Sequence, residues 1–376
     1  MLLVKEEKMW HQRSRINWLQ NGDQNTKFFH THASRRKRGN WIQGIEDNGG
    51  VCHEDVDKIK DVAVQYFTNL FTSTRPQLGE QSLRGVHKII TDDMNRELSR
   101  EFTTEELYLA LRHMAPLKDP EPGGMPALFY HSFWHIIGSH VTNAVLSCLN
   151  SCKIPESINH NFITLIPKVS SPKRMSDFCP ISLCNVIYKI MSKVIANRLK
   201  PILPKIISET QSAFVPGRLI TDNVLVAFET LNYIKTRCEG RMGFMAIKLD
   251  MSKTYDRVEW GYLSQVMRKM GFEEKWISLI MQCISLVSYF VLINGEPRGS
   301  IHLERGLRQG DPLFPYLFLI CAEGLLAKLK EAAIEGKITG VAISWGGPIT
   351  NLCLEDDNLL LCGANIEEGK NIQQIL

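Results

Sequence analysis

Two apolar stretches that each carry acid at one end constrain this chain more than any other feature. Residues 244–250, Phe-Met-Ala-Ile-Lys-Leu-Asp, read as a strand. Met245, Ile247 and Leu249 fall on one face; Phe244, Ala246, Lys248 and Asp250 fall on the other. Residues 349–362, ITNLCLEDDNLLLC, read as two apolar strands with an acidic tip. Strand ends and hairpin tips meet when the strands are neighbours in one sheet, so Asp250, Asp356 and Asp357 are expected to converge. Three carboxylates gathered there repel one another unless cations sit between them. Two divalent ions about 3.5–4 Å apart suit such a cage and suit in-line phosphoryl transfer. One ion would activate the attacking hydroxyl, and the other would hold a triphosphate and its leaving group. An Asp-Asp pair is also an ordinary turn, because Asp favours turns. The apolar flanks speak against a solvated turn here.

Other segments fill in an α+β chain. Residues 54–71 have helical periodicity in Val56, Ile59, Val62, Ala63, Tyr66, Phe67 and Leu70. Residues 72–90 hold Pro76, Gly79 and Gly85 and read as a linker. Thr103 and Glu106 have the spacing of a capping box for a helix running to Met114. Helices are expected through roughly 127–150 and over 183–200, 258–270 (stopped by Gly271) and 312–335. Phe162 to Pro167 reads as a short strand, and Asn294-Gly295 as the turn of a hairpin spanning 286–304.

Charge is unevenly placed. The total is +4, yet residues 1–41 hold nine Lys and Arg against three acids, a surplus of +6 on one short arm. Trp10, Trp18, Phe28, Phe29 and Trp41 sit among those charges, and the arm reads as a basic helix followed by a basic loop. Arg35, Arg36, Lys37 and Arg38 form a run suited to phosphate contact or nuclear import. Interleaved aromatics favour single-stranded nucleic acid, by stacking; a solvated charge run is the plainer alternative. The ten Cys contain no CxxC pair and read as reduced core thiols of an intracellular protein. Nothing resembles a signal peptide or a span of about 20 apolar residues.

Several blocks, in order along nearly the whole chain, resemble the reverse transcriptases of LINE-type (non-LTR) retrotransposons, in their plant form. They are Ile247-Lys-Leu-Asp-Met-Ser-Lys-Thr-Tyr-Asp-Arg-Val-Glu-Trp260, Arg305-Gly-Leu-Arg-Gln-Gly-Asp-Pro-Leu-Phe-Pro-Tyr-Leu-Phe318 and the acidic hairpin at 353–362. Asp177-Phe-Cys-Pro-Ile-Ser-Leu-Cys-Asn-Val-Ile-Tyr-Lys189, Gln211-Ser-Ala-Phe-Val-Pro-Gly-Arg218 and the arm segment Trp18 to His30 join them. The resemblance implies a right-hand polymerase: fingers, and a palm of antiparallel strands backed by helices. Residues 1–80 would form a basic arm and linker, and 81–376 the polymerase domain. It implies that Asp250, Asp356 and Asp357, with the Met251 carbonyl, bind two Mg2+ (or Mn2+). Tyr255 matches the steric gate against a ribose 2′-hydroxyl, Gln309 the glutamine of the nucleotide pocket, and Lys168 a lysine on the triphosphate. Arg218 joins Arg35, Arg36, Lys37 and Arg38 as a nucleic-acid contact. The partners implied are an RNA template, a DNA primer and deoxynucleoside triphosphates, in the nucleus; no membrane is implied. Taken singly, Tyr255 could be a core aromatic and Lys168 a solvated loop lysine.

This chain departs from the family pattern at several positions. Cys179 stands where the family has an Arg that grips the triphosphate, and a thiol does not replace a forked cation. Glu355 replaces Ala before the Asp pair, Thr254 replaces Ala beside the gate, and Phe314 replaces Ser, adding bulk near Gln309. The loop Lys118 to Met125 differs at Asp119, Glu121 and Gly123. With no endonuclease before residue 1 and a stop soon after the hairpin, a missing thumb and a truncated, impaired copy are expected. A retrotransposon relic that at most binds nucleic acid is the competing expectation; a group II intron maturase fits the arm and the 211–218 block less well.

Overall fold

The computed structural model describes residues 34, 38–77, 79, 83–116, 125–236, 243–251, 253–342, 348–354 and 357–376. Arg35, Arg36, Lys37, Glu355, Asp356 and the first 33 residues lie outside that set. The described chain runs β1 (Ile45–Glu46), β2 (Cys52–His53), α1 (Val56–Phe71), α2 (Asp92–Ser99), α3 (Thr104–Arg112) and α4 (Ala127–Ser151). Next come β3 (His160–Pro167), β4 (Phe178–Leu183), α5 (Val186–Leu199), α6 (Leu203–Ile206) and α7 (Ile220–Thr236). The second half holds β5 (Phe244–Asp250), α8 (Trp260–Met270), α9 (Glu274–Ser285), β6 (Ser288–Ile293) and β7 (Glu296–His302). It closes with α10 (Phe314–Ile334), β8 (Asn351–Leu354), β9 (Asp357–Gly363) and α11 (Ile366–Ile375).

The class is α+β, as expected. Strand order is β4-β3-β6-β7 in one sheet and β5-β9-β8 in another, beside the small β1-β2 pair. Every described pairing between these strands is antiparallel except β3 with β6, which is parallel. Pro180 lies on β4, the edge strand, where a residue without an amide proton is tolerated.

Three apolar clusters hold these layers. The largest joins residues of α2 to α5 with α8, α9 and α10. A second lies between α1 and the four-stranded sheet. Asp55 caps α1 through its side chain, accepting from the amides of Asp57 and Lys58 at 3.1 Å each. Ile59, Ala63, Phe67, Leu70 and Phe71 then form the buried stripe, with Phe71 5.6 Å from the ring of Tyr289. Each large apolar side chain so buried contributes about 1.5–3 kcal/mol. The β6–β7 turn has Asn294 and Gly295 at φ 54° and 92°, the two positive values a primed hairpin turn requires. Asn294 also clasps the backbone of Ile42, accepting from its amide at 2.8 Å and donating to its carbonyl at 3.0 Å. The described half of the expected arm, residues 42–71, is therefore part of the sheet's own core. The third cluster packs β5, β8 and β9 against α10 and α11.

Candidate active site

Met245, Ile247 and Leu249 pack into the third cluster, which turns Ala246, Lys248 and Asp250 outward. β9 pairs with β5 in a register running from Phe244 opposite Gly363 to Asp250 opposite Asp357. The two carboxylates are thus direct cross-strand partners on an exposed sheet end, where opposed Cβ atoms lie about 4.5–5.5 Å apart. Like charges so placed repel. Lys248, two residues along the same face, offsets part of that repulsion, its Nζ 3.1 Å from Asp357 Oδ1. β8 flanks β9 on its other side, with Leu354 opposite Asp357; Asp356 itself is outside the described residues. Among the described residues no group of three His, Cys, Asp or Glu forms a metal cage. The donors present are hard oxygens, the type that suits Mg2+. The Met251 carbonyl accepts the Thr254 hydroxyl, which leaves one of its two lone pairs.

Three residues after Asp250 begins the wall of a cavity of about 160 Å³. Lys168, Tyr255, Gln309 and Cys179, separated by up to 141 positions in sequence, all line it. Lys168 follows β3, its amide donating to the Asp177 carbonyl at 2.8 Å while the side chain is exposed. Tyr255 both packs and lines: its half-buried ring lies 4.8 Å from that of Phe318, and its carbonyl accepts from Leu307 N at 2.7 Å. Gln309 is fixed by three bonds. Its carbonyl accepts from Ser182 N at 3.1 Å, its side-chain amide donates to Asp256 at 3.4 Å, and its side-chain oxygen accepts the Cys179 thiol at 3.5 Å. Burial pushes that thiol up, so it stays neutral.

Tyr66 of α1, Lys253 and Asp256 also line the cavity, and sequence reasoning had assigned them no role there. Burial raises the Asp256 carboxyl to about 6, with Lys253 and Lys168 pulling the other way. The signal for Lys253 and Asp256 was their place in the block around Asp250; Tyr66 read only as one apolar position of a helix. Behind Gln309 lies Arg308, 1% exposed. It donates to Asn159 Oδ1 at 2.6 Å and to the Cys283 carbonyl, lies 3.9 Å over the ring of Tyr188, and pairs with buried Asp311 at 3.7 Å.

Phe314 is buried in the large cluster, 5.2 Å from the Arg308 guanidinium. One expectation needs correcting. Arg218 has both terminal nitrogens committed to backbone carbonyls, of Ser208 and Gln211 at 2.6 and 2.7 Å and of Pro204 and Ile207 at 3.1 and 2.8 Å. A nucleic-acid contact there would leave carbonyls without donors, so its position points to a structural clamp. Arg38 is exposed, as a phosphate contact requires; Arg35, Arg36 and Lys37 are outside the described residues. No described helix is long and apolar enough to cross a membrane.

Comparison with known proteins points the same way. The transposon TX1 uncharacterized 149 kDa protein of Xenopus laevis is 27% identical over 366 residues, 96% of this chain and 27% of that protein. The Pol polyprotein from the type-2 retrotransposable element R2DM of Drosophila melanogaster is 26% identical over 310 residues, 82% of this chain and 27% of its own length. That from the type-1 element R2 of Popillia japonica is 27% identical over 199 residues, 53% of this chain and 27% of its own. The chain spans about a quarter of the length of these curated relatives. The family described as reverse transcriptase (RNA-dependent DNA polymerase) matches residues 166–376, which hold β5, β9 and all of the cavity wall except its α1 side. With that match over more than half of its length, the chain belongs to the reverse transcriptase family.

Proposed function

We propose that this chain is the fingers-and-palm core of a non-LTR retrotransposon reverse transcriptase, extending a DNA primer along an RNA template. One observation carries the reading: Asp250 and Asp357 face each other across β5 and β9, and the turn that follows Asp250 joins Lys168, Tyr255 and Gln309 in the wall of one cavity. The three-stranded sheet is read as the palm and the four-stranded sheet as the fingers. Asp250, Asp356, Asp357 and the Met251 carbonyl would hold two Mg2+, whose charge would activate the primer 3′-hydroxyl and stabilise the leaving pyrophosphate. In this reading Lys168 binds the triphosphate. The Tyr255 ring, stiffened by its contact with Phe318, closes the space a 2′-hydroxyl would need. Gln309, immobilised at backbone and side chain, forms the wall against the base pair. Arg38 and its basic neighbours would contact nucleic acid and direct the protein to the nucleus.

The test is primer extension on an RNA template with deoxynucleoside triphosphates and Mg2+. Extension that Asp250→Ala abolishes is expected; incorporation surviving that substitution refutes the assigned mechanism. A second reading, a non-catalytic remnant that binds RNA, is favoured by Cys179: a neutral thiol spends its hydrogen on Gln309 where the family places a cation. That reading predicts RNA binding with no incorporation even by the unaltered chain.

A further inference from the structure

The cavity lined by Lys168, Tyr255 and Gln309 has a wall that the family match does not cover. Tyr66 lies on α1, a hundred residues upstream of the matched segment. Its hydroxyl accepts a hydrogen bond from Lys253 Nζ, and that ammonium lies 4.4 Å from the centre of its ring. α1 is locked in place by Phe67 and Phe71 beneath it, so the tyrosine is held from the core side.

Lys253 has φ 57°, a left-handed backbone that a residue with a Cβ adopts at a cost of about 1–3 kcal/mol. Such conformations persist where the surroundings over-determine them, often at ligand clamps. Here the strained turn carries Lys253 into the cavity rather than along the sheet. Its partner is a neutral hydroxyl and a π face. Among the described residues neither Lys253 nor Lys168 forms an ion pair with an acid, so two ammonium charges face one cavity without a carboxylate bonded to either. Asp256, the acid in the wall, gives its oxygen to Gln309 instead. A small, polar cavity with two such charges matches a polyphosphate far better than a carboxylate or a neutral ligand.

We propose that Lys253, parked on Tyr66, is a triphosphate-binding residue, and that with Lys168 it supplies the cationic grip which Cys179 no longer provides. This rests on the polymerase reading above and deepens it. α1 thereby enters the nucleotide site: Tyr66 is a positioning residue, acting through Lys253.

The experiment measures equilibrium binding of radiolabelled dGTP with Mg2+, and of inorganic tripolyphosphate as a competitor, to the full chain and its variants. Thermal midpoints verify folding. Lys253→Ala is expected to weaken binding of both probes about tenfold or more, since a charge-assisted bond is removed, and Lys253→Arg to restore most of it. Tyr66→Phe keeps the ring and removes the hydroxyl, and should weaken both probes severalfold. Unchanged binding in a folded Lys253→Ala protein overturns the inference while leaving the Asp250→Ala extension test to judge the polymerase reading. Loss for dGTP with no loss for tripolyphosphate also overturns it, because the contact would then be with base or sugar. An unaltered chain that binds neither probe overturns it too.

Discussion

Asp256 is the residue where burial and function meet most directly. Its carboxyl is buried beside Gln309 and is raised from an ordinary 3.8 to about 6. A raised acid takes up a proton on folding. Its stabilising share is complete below pH 4 and is lost as pH climbs through about 6, a swing on the order of 3 kcal/mol. Asp256→Asn should therefore gain on the unaltered chain by roughly that amount between pH 4 and 7. Urea unfolding of both proteins across that range checks it, and a constant difference between them would show that the carboxyl does not carry the shift. The cavity lysines limit how far the value can rise, so replacing Lys253 should raise it further. Cys179, one wall away, does not titrate in this range, because burial moves its thiol upward.

At the scale of elements, the segment preceding α10 depends on a buried charge. Arg308 and Asp311 sit at 1% and 0% side-chain exposure, 3.7 Å apart, and the facing Arg308 Nε and Asp311 Oδ2 have no hydrogen-bond partner. The pair is held by charge, by Tyr188 beneath the guanidinium and by the bonds Asp311 accepts from Leu313 N and Ser192. Removing one partner strands the other, at a cost of about 3–5 kcal/mol. Arg308→Met should lose that much in thermal or urea unfolding, and Arg308→Met with Asp311→Ala should lose less than the single change. Equal losses would mean the charges are not coupled. This network was not legible in the sequence, where Arg308 read as one more letter of a motif. Legibility elsewhere followed local physics. The Asn294-Gly295 turn, the Thr103–Glu106 capping box and the stop at Gly271 were all read correctly, since each is set by a few neighbouring residues. β4 was not read as a strand, because Pro180 interrupts it and only its edge position excuses the proline. α7 was not read as a helix although Val224, Leu225, Phe228 and Leu231 have helical spacing, and in the structure that apolar stripe is exposed.

Over the whole molecule, Asp250 and Asp357 are brought together, and so are the residues of the cavity wall, by pairings between distant segments. Asp250 and Asp357 were legible as candidates, but their register is set by seven consecutive pairs between β5 and β9, which no local pattern encodes. The charge surplus at the N-terminal end is likewise a property of the whole chain. Neutralising Arg35, Arg36, Lys37 and Arg38 should weaken RNA binding and flatten its dependence on salt, by up to about one unit of logarithmic slope for each phosphate no longer neutralised. An unchanged slope in filter binding would remove the run from the interface. The parallel pairing of β3 with β6 reaches across more than a hundred residues, and β5 lies within the span it closes. During synthesis the ribosome must therefore deliver residues up to His302 before that sheet can be finished. Until then β3 presents an open edge to solvent. A chain halted at Ser285 should accumulate as aggregate, whereas one continued past His302 can seal that edge with its own hairpin.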